Sequence, residues 1–173
     1  MIARGRDLCR LHWDHSRQDP EDQDGLKQGH WVVVLGKVDR GQSFNRFNDG
    51  KCDPQGRLWA GKSQWVNTNC QCPSNSCVGT MGNETKPGEV KPEQGTMYFC
   101  RQHAEDNQKA IIENKFDKIH ISNGLEWSVD GNTFYYIDSL AYKVEAFDYE
   151  AVGGVISNRR TVFDLKKVGC ALF

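Results

Sequence analysis

Two stretches of the chain follow one plan: residues 48–61, NDGKCDPQGRLWAG, and residues 123–138, NGLEWSVDGNTFYYID. Each begins with an asparagine, continues as a short strand-like run, turns at a glycine and ends in a second run that carries aromatic residues. Asp-Pro-x-Gly and Asp-Gly-Asn are typical of tight turns between strands. The chain therefore contains an internal repeat, and the repeated unit begins with a β-hairpin.

Further strand-like runs follow each hairpin, at residues 96–100 and 110–112 in the first unit and at residues 143–148 and 160–163 in the second. Repeated units of four strands are typical of propeller blades. Ahead of both units, residues 7–13 and 31–35 read as the last two strands of an earlier blade, and no segment has the apolar spacing of a helix. The sequence predicts an all-β chain; a plain antiparallel sheet or sandwich is the alternative from the pattern alone.

The bulk composition excludes several classes of function. Lys and Arg number 22 and Asp and Glu number 23, so the net charge of -1 gives no reason to expect nucleic acid or an anionic membrane as a partner. No apolar run approaches the roughly 20 residues of a membrane helix, and residues 1–6 do not form a leader-like stretch. Seven cysteines, an odd number, argue against a disulfide framework. We expect a cytoplasmic protein with no specific protein partner.

Several longer motifs, in the same order along the chain, resemble one known family: residues 45–51 NRFNDGK, 121–128 ISNGLEWS, 134–139 FYYIDS, 147–149 FDY and 156–160 ISNRR. The family is that of regucalcin (senescence marker protein), gluconolactonase and the luciferin-regenerating enzyme. The resemblance implies a six-bladed β-propeller, of which this chain would hold between two and three blades. It also implies hydrolysis of sugar lactones with one divalent cation in the central channel, either calcium or zinc, with manganese as a further alternative.

The resemblance assigns roles to four residues of this chain. Asn123 matches a metal ligand, Arg46 and Asn48 match residues that contact hydroxyls of the substrate, and Glu84 matches an acid on the substrate side of the channel mouth. A neutral amide oxygen suits a hard cation that prefers oxygen ligands. The cation polarises the lactone carbonyl and holds a water, from which an acidic residue takes a proton.

Two further acids, Asp49 and Asp138, lie in the same motifs, and we give them weaker roles. The alternative for all of these polar residues is structural, because asparagine and aspartate often tie strand ends and turns together.

The resemblance also predicts what this chain does not supply. The family's other two metal ligands, an early glutamate and a later aspartate that serves as general base, fall outside it, so we expect no catalytic base here and an inactive fragment. Residues 62–79 interrupt the resemblance and are predicted to be a disordered insert, for which a retained intron is our hypothesis. Residues 168–173 are predicted to be a tail unrelated to the family.

Two alternatives to a lactonase remain. One is a non-catalytic, calcium-binding regulatory protein of the regucalcin type. The other is a nucleotide-binding loop, because residues 56–63, GRLWAGKS, formally match the P-loop pattern. A P-loop requires a strand before its first glycine and a helix after its lysine. Here a turn precedes Gly56 and the intervening residues read as a strand, so the nucleotide-binding hypothesis is disfavoured.

Overall fold

The structure, a computed structural model, describes residues 2–12, 31–38, 45–64 and 92–169. The described residues contain eleven strands and no helix, and none of them forms a helix that could cross a membrane. The strands are β1 (Ile2–Arg4), β2 (Asp7–His12), β3 (Trp31–Lys37), β4 (Asn45–Cys52), β5 (Leu58–Gln64), β6 (Gly95–Gln102), β7 (Ala110–Ile119), β8 (Ser122–Trp127), β9 (Thr133–Asp138), β10 (Lys143–Glu150) and β11 (Val155–Asp164).

These strands form three antiparallel sheets, each a meander in chain order. The first sheet holds β1–β3, the second β4–β7 and the third β8–β11. The two four-stranded sheets coincide with the two repeats of the sequence, and the first sheet coincides with the earlier blade. The all-β prediction and the partial propeller are confirmed, with β1 as a strand that the sequence pattern did not indicate.

An aromatic core fills the space between the second and third sheets. Trp59 lies at its centre, with ring centroids about 5 to 6 Å from those of Phe99, Trp127, Phe134 and Tyr149. Alternate residues of each strand point to this core, which is why the aromatic runs of the repeat carry an every-second-residue pattern. The core therefore joins the two repeats to each other.

A buried polar cluster closes the same interface at the turn between β4 and β5. The Asp53 carboxylate accepts hydrogen bonds from Tyr149 Oη at 2.7 Å, Arg57 Nε at 2.9 Å and Trp59 Nε1 at 3.2 Å. Burial alone would raise the pKa of Asp53, but these bonds and the backbone N–H of Arg57 hold the pKa below its usual value. Arg57 reaches further and donates to the carbonyl of Val152 at 3.0 Å. The hydrogen bonds of the Asp-Pro-x-Gly-Arg turn between β4 and β5 thus connect the first repeat to the second.

Bulges occur close to the repeated asparagines in β4 and β8, the first strands of their sheets, with Asn48 unpaired in β4 and Gly124 unpaired in β8. The pairing of β4 with β5 shifts between Phe47 and Asp49, and the pairing of β8 with β9 shifts between Asn123 and Leu125. In both strands an asparagine of the repeat lies at the shift. A bulge bends its strand and redirects the side chain at that point.

Several boundaries differ from those that the sequence predicted. The insert was expected from residue 62, but residues 62–64 extend β5 and pair with residues 45–47 of β4. They do so because β4 begins three residues before the repeated asparagine and supplies partners for them. The remaining insert residues, 65–79, lie outside the described part of the chain. The interior of the P-loop-like stretch is a strand, as predicted, so it cannot form a phosphate-binding turn.

Candidate functional site

The two asparagines of the repeat meet where β4 and β8 lie side by side. Asn48 Nδ2 donates to Asn123 Oδ1 at 3.0 Å and to the backbone carbonyl of Ser122 at 2.8 Å. Both N–H groups of the Asn48 amide are therefore directed at β8. The sequence repeat explains the meeting, because equivalent positions of neighbouring blades lie next to each other.

The Asn123 amide is held on its other side by Ser139, the residue directly after β9. Its Nδ2 donates to Ser139 Oγ at 2.8 Å, while its Oδ1 accepts from Asn48. An amide oxygen has two lone pairs, so Oδ1 keeps acceptor capacity beyond the bond from Asn48. This arrangement fixes the side chain and leaves an oxygen of the kind that calcium prefers. Ser139 was given no role from the sequence, although it is the last residue of the family motif at residues 134–139.

The bulge next to Asn123 depends on a glycine and on Asp49. Gly124 has φ +61°, and a Cβ added there would lie 2.8 Å from Ile137 Cδ1. The bulge releases the Gly124 N–H from the ladder, and Asp49 Oδ2 accepts it at 2.7 Å. Asp49 also accepts from Gly50 N at 2.8 Å through its other oxygen. Asp49 therefore acts on the backbone beside Asn123.

Arg46 lies two residues before Asn48 and so projects from the same face of β4. Its Nη1 donates to the carbonyl of Phe47 at 3.2 Å and lies 3.5 Å from Asn48 Oδ1. The structure thus brings together three of the four predicted site residues. The fourth, Glu84, lies outside the described residues.

Asp138 holds the connection between β7 and β8. It accepts hydrogen bonds from the backbone N–H groups of His120 at 2.9 Å and Ile121 at 3.1 Å. The His120 ring lies in the same cluster, with Nδ1 3.1 Å from Asp138 Oδ2. The structural alternative that we gave for Asp138 describes these contacts, because the carboxylate fixes the backbone three residues before Asn123.

The residues at this site fit a divalent cation only in part. Asn123 Oδ1 is suited to be one ligand. Across the part of the chain that the structure describes, no three His, Cys, Asp or Glu side chains cluster as metal ligands would. One amide oxygen with waters does not hold a divalent cation tightly. The described residues therefore place one amide oxygen here and no cluster of charged metal ligands around it.

Comparison with known proteins agrees with this architecture. The family model described as the SMP-30/Gluconolactonase/LRE-like region matches residues 8–170. Bovine (Bos taurus) regucalcin is 41% identical over 165 residues, which cover 94% of this chain and 42% of the bovine protein. Rabbit (Oryctolagus cuniculus) regucalcin is 44% identical over 136 residues, which cover 79% of this chain and 38% of the rabbit protein.

Solved structures give the same result. A luciferin-regenerating enzyme superposes with a TM-score of 0.64 at 28% identity, covering 95% of this chain and 43% of that enzyme. The calcium-binding protein regucalcin from Agrobacterium tumefaciens superposes with a TM-score of 0.55 at 20% identity, covering 78% of this chain and 36% of that protein, which supports the fold alone. The chain thus spans about two fifths of the length of these relatives, and it belongs to the SMP-30/gluconolactonase/LRE-like family.

Proposed function

We propose that this chain supplies part of the metal and substrate site of a metal-dependent hydrolase of sugar lactones. The observation that carries the proposal is the contact between Asn48 and Asn123 on neighbouring first strands. The family to which the chain belongs includes gluconolactonases, which supports the same class of reaction.

In this proposal the residues of the site have the following roles. Asn123 Oδ1 would hold a calcium or zinc ion, and such an ion would supply polarisation of the lactone carbonyl. Asn48 orients the Asn123 amide and offers its own Oδ1 to a hydroxyl of the sugar ring. The Arg46 guanidinium donates to a second ring oxygen. Glu84, which lies outside the described residues, keeps the role that the resemblance implies, an acid on the substrate side. Asp49 and Ser139 are positioning residues, since they act through Asn123 and its backbone.

The 173-residue chain alone is proposed to be inactive. Among the residues that the structure describes, it offers one metal ligand of the three that the family resemblance implies, and no cluster of three His, Cys, Asp or Glu side chains. Metal affinity depends on the number and charge of the ligands, so a single neutral oxygen is too few. A direct assay of gluconolactone hydrolysis by the chain, with and without calcium, zinc or manganese, is expected to give the rate of buffer.

A graft tests the proposed roles more sharply. Residues 45–61 and 95–164 of this chain would replace the aligned residues of bovine regucalcin, once the host itself has been shown to hydrolyse gluconolactone with added metal. We expect the chimera to keep a metal-dependent rate within about tenfold of the host. Asn123→Ala should lower that rate at least about a hundredfold, because a metal ligand is lost.

A matched control separates site effects from general damage. Asn107, an exposed residue in the turn between β6 and β7, changes by the same substitution, and Asn107→Ala should leave the rate unchanged. A folded chimera with no metal-dependent hydrolysis would contradict the lactonase proposal. If that chimera still bound calcium through Asn123, the non-catalytic calcium-binding alternative would replace it.

A further inference from the structure

Asn123 has a chemical liability that its role in the site does not explain. It is the only asparagine of the chain that is followed by a glycine. In such a pair the backbone nitrogen of the glycine can attack Cγ of the asparagine side chain, because glycine has no Cβ to obstruct the approach. Asparagine is among the thermolabile residues of proteins. The asparagine at the centre of the site is thus also the one with the greatest inherent tendency to deamidate.

The reaction needs no co-reactant other than water. The Gly124 nitrogen loses its proton to solvent and forms a bond to Asn123 Cγ. The bond between Cγ and Nδ2 breaks, so that ammonia leaves and a five-membered succinimide remains. Water then opens the ring at one of its two carbonyls, which gives either aspartate or isoaspartate. Both products are heavier than asparagine by the difference between water and ammonia, and in isoaspartate the backbone runs through the former side chain.

The attacking nitrogen is held by Asp49. The bulge leaves Gly124 unpaired in the ladder between β8 and β9, and its N–H donates to Asp49 Oδ2 at 2.7 Å. A hydrogen bond to a carboxylate is about twice as strong as one between neutral groups, and it must break or bend before the nitrogen can approach Cγ. Removal of the amide proton would also create a second negative charge beside the carboxylate, which is unfavourable.

The carbon under attack is held as well. Asn123 Nδ2 donates to Ser139 Oγ at 2.8 Å, and Asn123 Oδ1 accepts from Asn48 Nδ2 at 3.0 Å. Ring closure turns the side chain toward the Gly124 nitrogen and makes the planar amide carbon tetrahedral. Both hydrogen bonds would be broken or distorted by that movement, which adds to the barrier. The contacts that orient the amide therefore also oppose its loss.

The same geometry allows an opposite role for Asp49. A carboxylate beside an attacking nitrogen can act as a general base and speed ring closure. Two features favour protection instead. A carboxylate is a weak base toward a backbone amide, and the other oxygen of Asp49 accepts from Gly50 N at 2.8 Å. That second bond fixes the carboxylate on β4, so it cannot follow the Gly124 nitrogen toward Cγ.

We propose that Asn123 is a deamidation site and that Asp49 is a positioning residue that preserves its amide by holding the Gly124 N–H. When that hydrogen bond is lost, Asn123 is converted to aspartate and isoaspartate. An ionised aspartate has no N–H for Ser139 Oγ, and isoaspartate adds a backbone atom to β8 where it meets β4. The protection does not depend on a metal; only its consequence for metal binding rests on the proposed function.

Peptide mapping by mass spectrometry tests this proposal on the purified chain, without metal or substrate. The folded chain is expected to deamidate at Asn123 at least about tenfold more slowly than the same chain unfolded in urea at the same pH, a factor that one hydrogen bond to a charged group can supply. Asp49→Ala should restore most of the unfolded rate while the chain stays folded. Asp130→Ala, in the exposed β8–β9 turn, is the matched control and should leave Asn123 protected.

A second control separates local protection from general stability. Leu35→Ala removes a buried side chain of β3 and should leave Asn123 protected. An equal rate in Leu35→Ala and Asp49→Ala, or equal rates in the folded and unfolded chain, would overturn the proposal. A slower rate in Asp49→Ala would make Asp49 the general base instead.

Near-UV circular dichroism of the buried tryptophans checks that each variant is folded. If the chain alone is unfolded, the same comparison in the regucalcin chimera decides, because its grafted residues 45–61 and 95–164 carry Asp49, Asn123 and Gly124 together. The measured quantity is the mass of one peptide, so the result stands whether or not the chimera hydrolyses a lactone.

Discussion

The two interfaces between neighbouring sheets differ in how completely they are packed. Between the second and third sheets, Trp59 and its aromatic neighbours fill the space, and the Asp53 cluster closes one end. Between the first and second sheets, the core is small, with Val38, Phe47 and Ala60 at its centre. A cavity of about 360 Å³ remains there, lined in part by Arg10, Leu35 and Cys100.

The difference shows where the molecule needs rigid geometry. The tightly packed interface also holds the Asn48–Asn123 contact, so the site lies between the two sheets that are fixed most firmly to each other. The hydrogen bonds seen at that contact come from β4, β8 and Ser139, which belong to the tightly packed pair of sheets. Burial raises the pKa of the Cys100 thiol in the cavity wall to about 12, which makes it an unreactive packing group. Stability and site geometry should therefore respond far more to changes at the interface between the second and third sheets than to changes at the interface between the first and second sheets.

The largest difference is expected from truncating one core residue at each interface. Trp59→Ala removes a fully buried ring at the centre of the aromatic core and should lower the free energy of unfolding by about 4 kcal/mol. Leu35→Ala, beside the existing cavity, should cost about 2 kcal/mol, the low end for such changes. Urea unfolding of both variants measures this. Equal losses would contradict the comparison.

A second large loss of stability is expected from a substitution at Gly61, where β5 passes close to Ser122. A Cβ on Gly61 would overlap the Ser122 side chain, so Gly61→Ala should destabilise the fold by about 2 to 3 kcal/mol. Ser122→Gly in the same chain removes the overlapping atoms. The double variant should recover most of the loss, as a double-mutant cycle by urea unfolding would measure. Additive losses would show that close approach is not the cause.

The Asp53 cluster should give the tight interface a distinct response to acid. The pKa of Asp53 is lowered in the folded chain, so its contribution to stability is complete above the ordinary value of 3.8. Below that value the unfolded chain binds the proton more readily, and the contribution is lost as pH falls through the folded pKa. Wild type should exceed Asp53→Asn in stability at pH 7, and the gap should narrow below pH 3.8. A gap that is constant down to pH 2 would contradict this.

The smallest effect on stability is expected from a substitution at Asp49, which should have a larger effect on the calcium affinity of the site. Asp49→Asn weakens the hydrogen bond to Gly124 N and should cost about 1 kcal/mol of stability. In the regucalcin chimera it should lower calcium affinity about tenfold through misplacement of Asn123. Isothermal titration measures the affinity, and Asp130→Asn in the exposed β8–β9 turn is the matched control. Unchanged affinity would remove Asp49 from the site.

The four-stranded sheets could be predicted from the sequence because the repeat and its turns are local features of the chain. The spacing of the hairpins predicted both four-stranded sheets, and the match between the two repeats placed Asn48 and Asn123 at equivalent positions. Equivalent positions in adjacent blades meet, so their contact follows from the repeat.

Other features depend on contacts that no local pattern contains. Asp53 and Tyr149 are 96 residues apart, and the glycine at position 61 is explained only by the closeness of Ser122. Ser139 was missed because a serine at a strand end has no distinctive pattern of its own. The end of β5 was misplaced because its last three residues pair with the start of β4, before the repeat begins.

The coupling between Asn48 and Asn123 in binding calcium tests the central claim most directly. Calcium affinity would be measured for the chimera, for Asn48→Ala, for Asn123→Ala and for the double variant. If the two asparagines form one site, Asn48→Ala should weaken binding in the presence of Asn123 and have little further effect in its absence, a coupling of more than about 1 kcal/mol. Equal effects of Asn48→Ala in both backgrounds would contradict the account.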